Sequence, residues 1–178
     1  STDKVHLYIK EAKKLDIEIL LPSVNYSYQK FSVENKKIRI GLSTIKGVGN
    51  SLSKTIVKER KQGRFTSFEN FIDRMSNRDD VNINKSSLEA MILSGALDDF
   101  GLKRSQMQNI YIDLLASYNN RDKNNIQGQE DMFSMFQETE NHINIPEMDE
   151  FKKMDFLRYE KEYLGVYISD HPYAEYGK

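Results

Sequence analysis

Two glycines flanking a valine, set between apolar residues at helical spacing, are the part of this chain best suited to chemistry. The pattern is Leu42-x-x-Ile45-Lys46-Gly47-Val48-Gly49-x-x-x-Ser53-x-x-Ile56-Val57. Gly47 and Gly49 permit backbone conformations that a β-carbon opposes, and they let an anion approach the main chain. Val48 is expected to point back between two helices and anchor the turn. A helix begins after Gly49, so its first N–H groups, near Asn50 and Ser51, and its positive dipole end face one spot. Ser53 lies one turn on, where a small residue lets helices cross closely. Lys46 and Lys54 flank the site. Residues 46–64 hold Lys46, Lys54, Lys58, Arg60, Lys61 and Arg64 against one acid, Glu59. Such a hairpin grips phosphate without touching a base, and so predicts DNA binding without sequence preference. The competing reading is an ordinary helix–helix turn.

A degenerate second copy follows. Leu88-x-x-Met91-Ile92-x-Ser94-Gly95-Ala96-Leu97 repeats helix, glycine turn and apolar anchor, and Lys103, Arg104 and Ser105 open the next helix. Paired hairpins could hold both strands of a duplex, with Ser94, Gly95, Lys103, Arg104 and Ser105 on the second. Alternatively this half only packs against the first, since Asp98-Asp99 repel phosphates unless turned away.

Other chemistry is poorly supplied. Phosphoryl transfer by two metals needs convergent carboxylates, and no Asp-x-Asp occurs. Asp79-Asp80 and Asp98-Asp99 are neighbours of the kind found in turns and caps. His6, His142 and His171 are scattered, so no metal triad is read from them. Without cysteine there are no disulfides or thiolate sites. No catalytic residue, metal site or cofactor is expected in this chain.

The elements that must position the hairpin are mainly helical. Asp3 can cap a helix carrying Val5, Ile9, Ala12 and Leu15 inward. Ile17 to Pro22 reads as extended chain. Phe31 and Val33, then Ile38 and Ile40, alternate with polar neighbours around a turn at 34–37, which predicts a small β-hairpin. Leu42 to Lys46 reads as a short first helix and Asn50 to Gln62 as a second, ended by Gly63. Ser67 and Asn84 can cap two more, and Arg104 or Ser105 starts a fifth. Asn119 to Gln129 reads as a flexible linker, and a last helix spans about Asp149 to Tyr163. Gly165 to Ile168 reads as the first strand of something further.

The 178 residues are 30% charged and 38% apolar, with a net charge of −1 that hides an asymmetry. Residues 1–110 carry 19 basic and 13 acidic side chains, whereas 111–178 carry 7 and 14. A basic front and an acidic back suggest different partners. In the acidic half, Met132, Phe133, Met135 and Phe136 stand in a polar stretch. They need cover, either from this chain's own core or from a partner's pocket. No apolar run is long enough to span a membrane, and no signal peptide opens the chain. Its ends, Ser1 and Gly177-Lys178, read as cut ends.

The string Ile38-x-Ile40-Gly41-Leu42-x-x-Ile45-Lys46-Gly47-Val48-Gly49 resembles the alpha subunit of bacterial replicative DNA polymerase III, a C-family polymerase. Ile17-x-Ile19-Leu20-x-Pro22-x-Val24-Asn25 is similar to the same family. So are Asn84-Lys85-x-x-Leu88-Glu89-x-x-Ile92-x-Ser94-Gly95-Ala96, and Leu157-Arg158-Tyr159-Glu160-Lys161-Glu162-x-Leu164-Gly165-x-Tyr167-x-Ser169-x-His171-Pro172. Two positions depart from the family pattern. Leu21-Pro22-Ser23 stands where Pro-Pro-Asp is usual, and Asp170 stands where Gly is usual.

The resemblance implies an internal piece of the polymerase. Residues 1–40 would end the fingers, 41–118 would be a tandem helix-hairpin-helix duplex-binding domain, 119–148 a flexible linker, and 149–178 a helix and the start of an oligonucleotide-binding domain. Gln129-x-x-Met132-Phe133 also resembles the motif by which replicative polymerases dock on the sliding clamp. Gln129 would bond pocket backbone, Met132 and Phe133 would fill the cleft, and Asp131 would lie at its rim. Expected partners are double-stranded DNA, the clamp, and the remainder of the polymerase and replisome, in the bacterial cytoplasm at the nucleoid. Mg²⁺ is implied for the parent polymerase. The alternative is a free-standing helix-hairpin-helix accessory protein of repair or recombination.

Overall fold

The computed structural model describes residues 2–125 and 144–169. Helix α1 (Thr2–Lys14) leads to strand β1 (Ile19–Leu20) and then to strands β2 (Ser32–Glu34) and β3 (Lys37–Arg39). A 3-10 turn at Leu42–Thr44 precedes α2 (Asn50–Arg60), α3 (Phe68–Ser76) and α4 (Lys85–Leu93). A second 3-10 turn, Asp98–Phe100, leads to α5 (Arg104–Asn125), and α6 (Lys153–Leu164) is the last described helix.

The expected hairpin forms, with Val33 opposite Ile38. Asn35 and Lys36 both adopt left-handed conformations, φ 51° and 65°, the geometry that matches strand twist in a two-residue turn. The extended stretch before it adds a third strand. β1 pairs in parallel with β3, Ile19 opposite Ile38, so the sheet order is β1-β3-β2.

The helices start where local chemistry says they should. The Ser67 side chain accepts from the Asn70 N–H, and Asn84 and Ser87 form a reciprocal capping box. Phe68, Phe71, Ile72 and Met75 of α3 are fully buried, as are Leu88, Met91 and Ile92 of α4. Both helices pack on α5, which contributes Met107 and Leu114 to the same core.

Several expectations shift. The first hairpin helix is only the 3-10 turn Leu42–Thr44, and Lys46 lies outside it. Leu15 is exposed rather than inward. Helix α5 continues to Asn125, so residues 119–125, read from composition as linker, are helical. Residues 149–152 are extended and the last helix begins at Lys153. Residues 165–168 form no strand, because α6 closes at Gly165 in a left-handed turn (φ 82°).

Candidate nucleic-acid interface

The first hairpin is assembled by three parts of the chain. Ile45 and Val48 are almost wholly buried, so the turn is pinned by its apolar flanks. Val48 N–H donates to the Ile45 carbonyl at 3.0 Å, and Lys46 N–H donates to the Tyr163 carbonyl at 2.8 Å, where α6 ends. Gly47 has φ +98°, a conformation that β-carbons oppose, and a β-carbon there would sit 3.5 Å from Ala90 of α4. The turn therefore rests on α4 and is tied to α6.

Glu89 of α4 braces the same corner. It accepts from the Tyr111 hydroxyl at 2.5 Å and the Tyr163 hydroxyl at 3.2 Å. Burial, reinforced by Glu89, pushes the Tyr111 hydroxyl up to about 12. The same causes raise Tyr163 further, so both remain hydrogen-bond donors at neutral pH.

Gly49 is the residue before α2, and no side chain caps the helix. Helical geometry leaves the first N–H groups, those of Asn50, Ser51 and Leu52, without intrahelical acceptors. A β-carbon built at Gly49 meets nothing within 4 Å, and Asn50 and Ser51 are exposed, so the space beside the first donors is open. Ser53 is fully buried, and its hydroxyl donates to the Gly49 carbonyl at 2.8 Å. Lys46, Gly47, Gly49, Asn50, Ser51 and Lys54 are all exposed around this opening, while Val48 is not. Open backbone donors, a helix dipole and flanking ammonium groups can together hold an anion such as a phosphate.

Of the six cations in residues 46–64, one belongs to the fold. Arg60 donates from one guanidinium nitrogen to the Val24 and Ser27 carbonyls at 2.8 and 2.7 Å. Lys46, Lys54, Lys58, Lys61 and Arg64 are exposed, with Lys58 3.9 Å from Asp80 and Arg64 donating to the Tyr26 hydroxyl at 3.0 Å. Glu59 faces away from the opening, toward Arg74 and Arg78 (2.9 and 2.5 Å).

The second copy is different, and here the sequence reading is corrected. Arg104, expected to meet phosphate, has a side chain only 2% exposed. Its guanidinium grips both oxygens of Asp98 (3.0 and 2.8 Å) and one oxygen of Glu160 (2.9 Å), and lies 3.9 Å from the centre of the Phe156 ring. Burial pushes the Asp98 carboxyl above its ordinary value, against the pull of Arg104.

The start of α5 is also occupied. Glu150 accepts from the Arg104 and Ser105 N–H groups, each at 2.9 Å, and the buried Ser105 hydroxyl donates to the Asp149 carbonyl. Ser94 is fully buried, and a β-carbon at Gly95 would collide with Arg104. Lys103 donates to the Met148 carbonyl. A protein carboxylate sits where a phosphate was expected, so Ser94, Gly95, Arg104 and Ser105 serve packing. Sequence spacing missed this because Glu150 and Glu160 lie far along the chain.

Gln129, Asp131, Met132 and Phe133 lie outside the described residues. Among the described residues no three His, Asp or Glu side chains converge to hold a metal, and no helix is long and apolar enough to cross a membrane.

Comparison with known proteins agrees with this geometry. The family model of the helix-hairpin-helix motif matches residues 16–107. DNA polymerase III subunit alpha of Borreliella burgdorferi is 36% identical over 184 aligned residues, covering 100% of this chain and 16% of that protein. The Bacillus subtilis subunit is 36% identical over 99% of this chain and 15% of its own length, and the Thermus aquaticus subunit 34% over 98% and 14%. This chain thus corresponds to a small part of each relative. It belongs to the helix-hairpin-helix family and is related, along its whole length, to DNA polymerase III alpha subunits.

Proposed function

We propose that the chain is the part of a bacterial replicative DNA polymerase that holds the duplex by its backbone, and that the hairpin at residues 45–54 makes the contact. The single observation that carries this reading is the open, uncapped N-terminus of α2 behind Gly49, flanked by exposed Lys46 and Lys54. The grip is to one strand, because the second hairpin spends its donors on Asp98, Glu150 and Glu160. No base is read, so affinity follows salt rather than sequence. A free-standing accessory protein would use the same turn, but similarity along the whole chain to one segment of much longer polymerases favours the first reading.

The test is titration of duplex DNA by fluorescence anisotropy across salt concentrations. Each neutralised phosphate contributes about −0.9 to the slope of log K against log salt, and a handful of contacts gives about −3 to −5. A flat salt dependence, or strong preference for one sequence, would overturn the proposal.

The proposal extends to tethering. Gln129-x-x-Met132-Phe133 suits the cleft of a ring-shaped sliding clamp, and a short linear motif of this kind binds on the order of micromolar. Replacing Met132 and Phe133 together with Ala should abolish clamp binding in calorimetry and leave DNA binding unchanged. Equal clamp affinity for parent and double variant would remove this segment from consideration. Template-directed synthesis belongs to the parent polymerase, as does the Mg²⁺ it implies. The described residues offer that ion no converging donor set, and no step proposed for this chain runs through it.

A further inference from the structure

Beside the hairpin runs a second feature, the segment 24–30, which lies along α2 in the opposite direction. At one end, Asn25 exchanges two hydrogen bonds of 2.9 Å with the Phe65 backbone, and Arg60 holds the Val24 and Ser27 carbonyls. At the other end, Gln29 donates to the Asn50 side chain at 2.9 Å, on the first residue of α2. The segment therefore spans the helix, ~15 Å at 1.5 Å per residue. That length corresponds to about four nucleotides of duplex at 3.4 Å each.

Tyr28 stands in the middle of this span. The residue is 58% exposed, yet it is held in place. The Arg60 guanidinium lies 5.4 Å from the ring centre, and that guanidinium is itself fixed by two carbonyls. The backbone before it is anchored, because the fully buried Ser27 donates to the Ile40 carbonyl at 2.7 Å and Ser27 N–H donates to the Ser23 carbonyl. Tyr26 next to it is different in kind, since Arg64 at 4.7 Å and Arg39 at 5.5 Å both lie against its ring. Lys30, two residues on along the segment, is exposed, and Lys54 and Lys61 are exposed on the side of α2 that carries Asn50.

An exposed aromatic ring backed by a fixed guanidinium, on a segment with an exposed lysine that runs toward the α2 N-terminus, has the make-up of a stacking platform for a nucleobase. Within a duplex both faces of each internal base are covered by its neighbours, so away from the duplex ends the ring can stack only on a base that is unpaired. We propose that Tyr28 stacks on an unpaired nucleobase of the strand whose backbone is held at the α2 N-terminus, so that the chain favours a duplex carrying a single-stranded extension over a blunt one. This rests on the phosphate reading of the hairpin. It adds a contact to a different part of the nucleic acid.

The test compares the full chain with Tyr28→Ala and Tyr28→Phe on two probes, a blunt duplex and the same duplex with a short single-stranded extension carrying 2-aminopurine. The parent should bind the extended probe more tightly and change the 2-aminopurine fluorescence on binding. Tyr28→Ala should lose roughly tenfold in affinity for the extended probe, the scale of one base–aromatic stack. It should also lose the fluorescence change, while binding the blunt duplex as the parent does with the same salt slope. Tyr28→Phe keeps the ring and should retain both.

Unchanged binding of both probes by Tyr28→Ala would overturn the proposal and assign the ring to another partner, such as a protein surface. Equal losses on both probes would also overturn it, since the contact would then be to duplex or to the fold. Salt-dependent binding of blunt duplex by the parent tests the hairpin reading separately. If the parent binds neither probe, both readings fall.

Discussion

Arg104→Met should destabilise the protein by about 3–5 kcal/mol, the usual consequence of removing one partner from a buried ion pair. The loss arises less from the missing guanidinium than from what it leaves behind. Glu160 is fully buried. Besides Arg104 it accepts from the Ile168 and Ser169 N–H groups at 3.1 and 2.9 Å and from the Ser169 hydroxyl. Without Arg104 that carboxylate stays dry without its cation, and Asp98 loses a two-pronged partner. For a chain of this size the loss corresponds to a fall in Tm of about 10 °C, readable by circular dichroism.

Replacing Glu160 as well should not restore stability fully. A hydrocarbon at 160 takes the acceptor from the N–H groups of half-buried Ile168 and exposed Ser169, which water replaces only in part at Ile168. The measurement also separates two roles for Arg104. A structural arginine changes Tm, whereas duplex affinity measured below the transition stays at the parent value. Unchanged Tm with lost DNA binding would return Arg104 to the phosphate-contacting role suggested by its place at a helix start.

Gly49→Val should reverse that pattern, with most of the effect in binding. The backbone at Gly49 is φ −78° and ψ 177°, extended geometry that valine adopts readily. The space is open as well, since a β-carbon there meets nothing within 4 Å. Folding should therefore be only slightly weakened, by about 1 kcal/mol for a poorer residue at the cap position. The expected loss comes from added bulk at the residue that precedes the N–H groups of Asn50 and Ser51. If those donors hold a phosphate, losing hydrogen bonds to a charged group costs about 1.5–3 kcal/mol, a fall in affinity of at least about tenfold. Lys54→Ala removes one exposed charge and should cost less. A folded Gly49→Val protein that binds duplex as the parent does would show that the α2 N-terminus is not the phosphate site.

The contrast between the two hairpins separates what local sequence determines from what it leaves open. The turn of the first hairpin was legible because its local geometry depends on neighbours within a few residues, although α4 and α6 brace it from far along the chain, and Gly49, expected to need a glycine backbone, is ordinary extended chain. Gly47 needs its positive φ for the turn itself, Val48 lies between apolar flanks on the same hairpin, and the α2 N-terminus is uncapped because Gly49 has no side chain. The caps at Ser67 and Asn84 and the turn at Asn35-Lys36 are equally local, and all were readable. The parallel addition of β1 to the sheet was not, because pairing with β3 depends on where the chain between them returns. Nor was the helical state of residues 119–125, since a polar run has the same composition in an exposed helix as in a linker. Arg104 is the clearest case. A basic residue opening a helix after a glycine turn suggests a phosphate contact, and the nearby Asp98-Asp99 is the one local sign against it. The Arg104 guanidinium is taken by Asp98, six residues back, and by Glu160, while Glu150 takes the N–H groups at the start of α5; both glutamates lie more than forty residues on and only packing brings them there. A charged group pairs with the nearest opposite charge in space, and only the tertiary structure determines which charge that is.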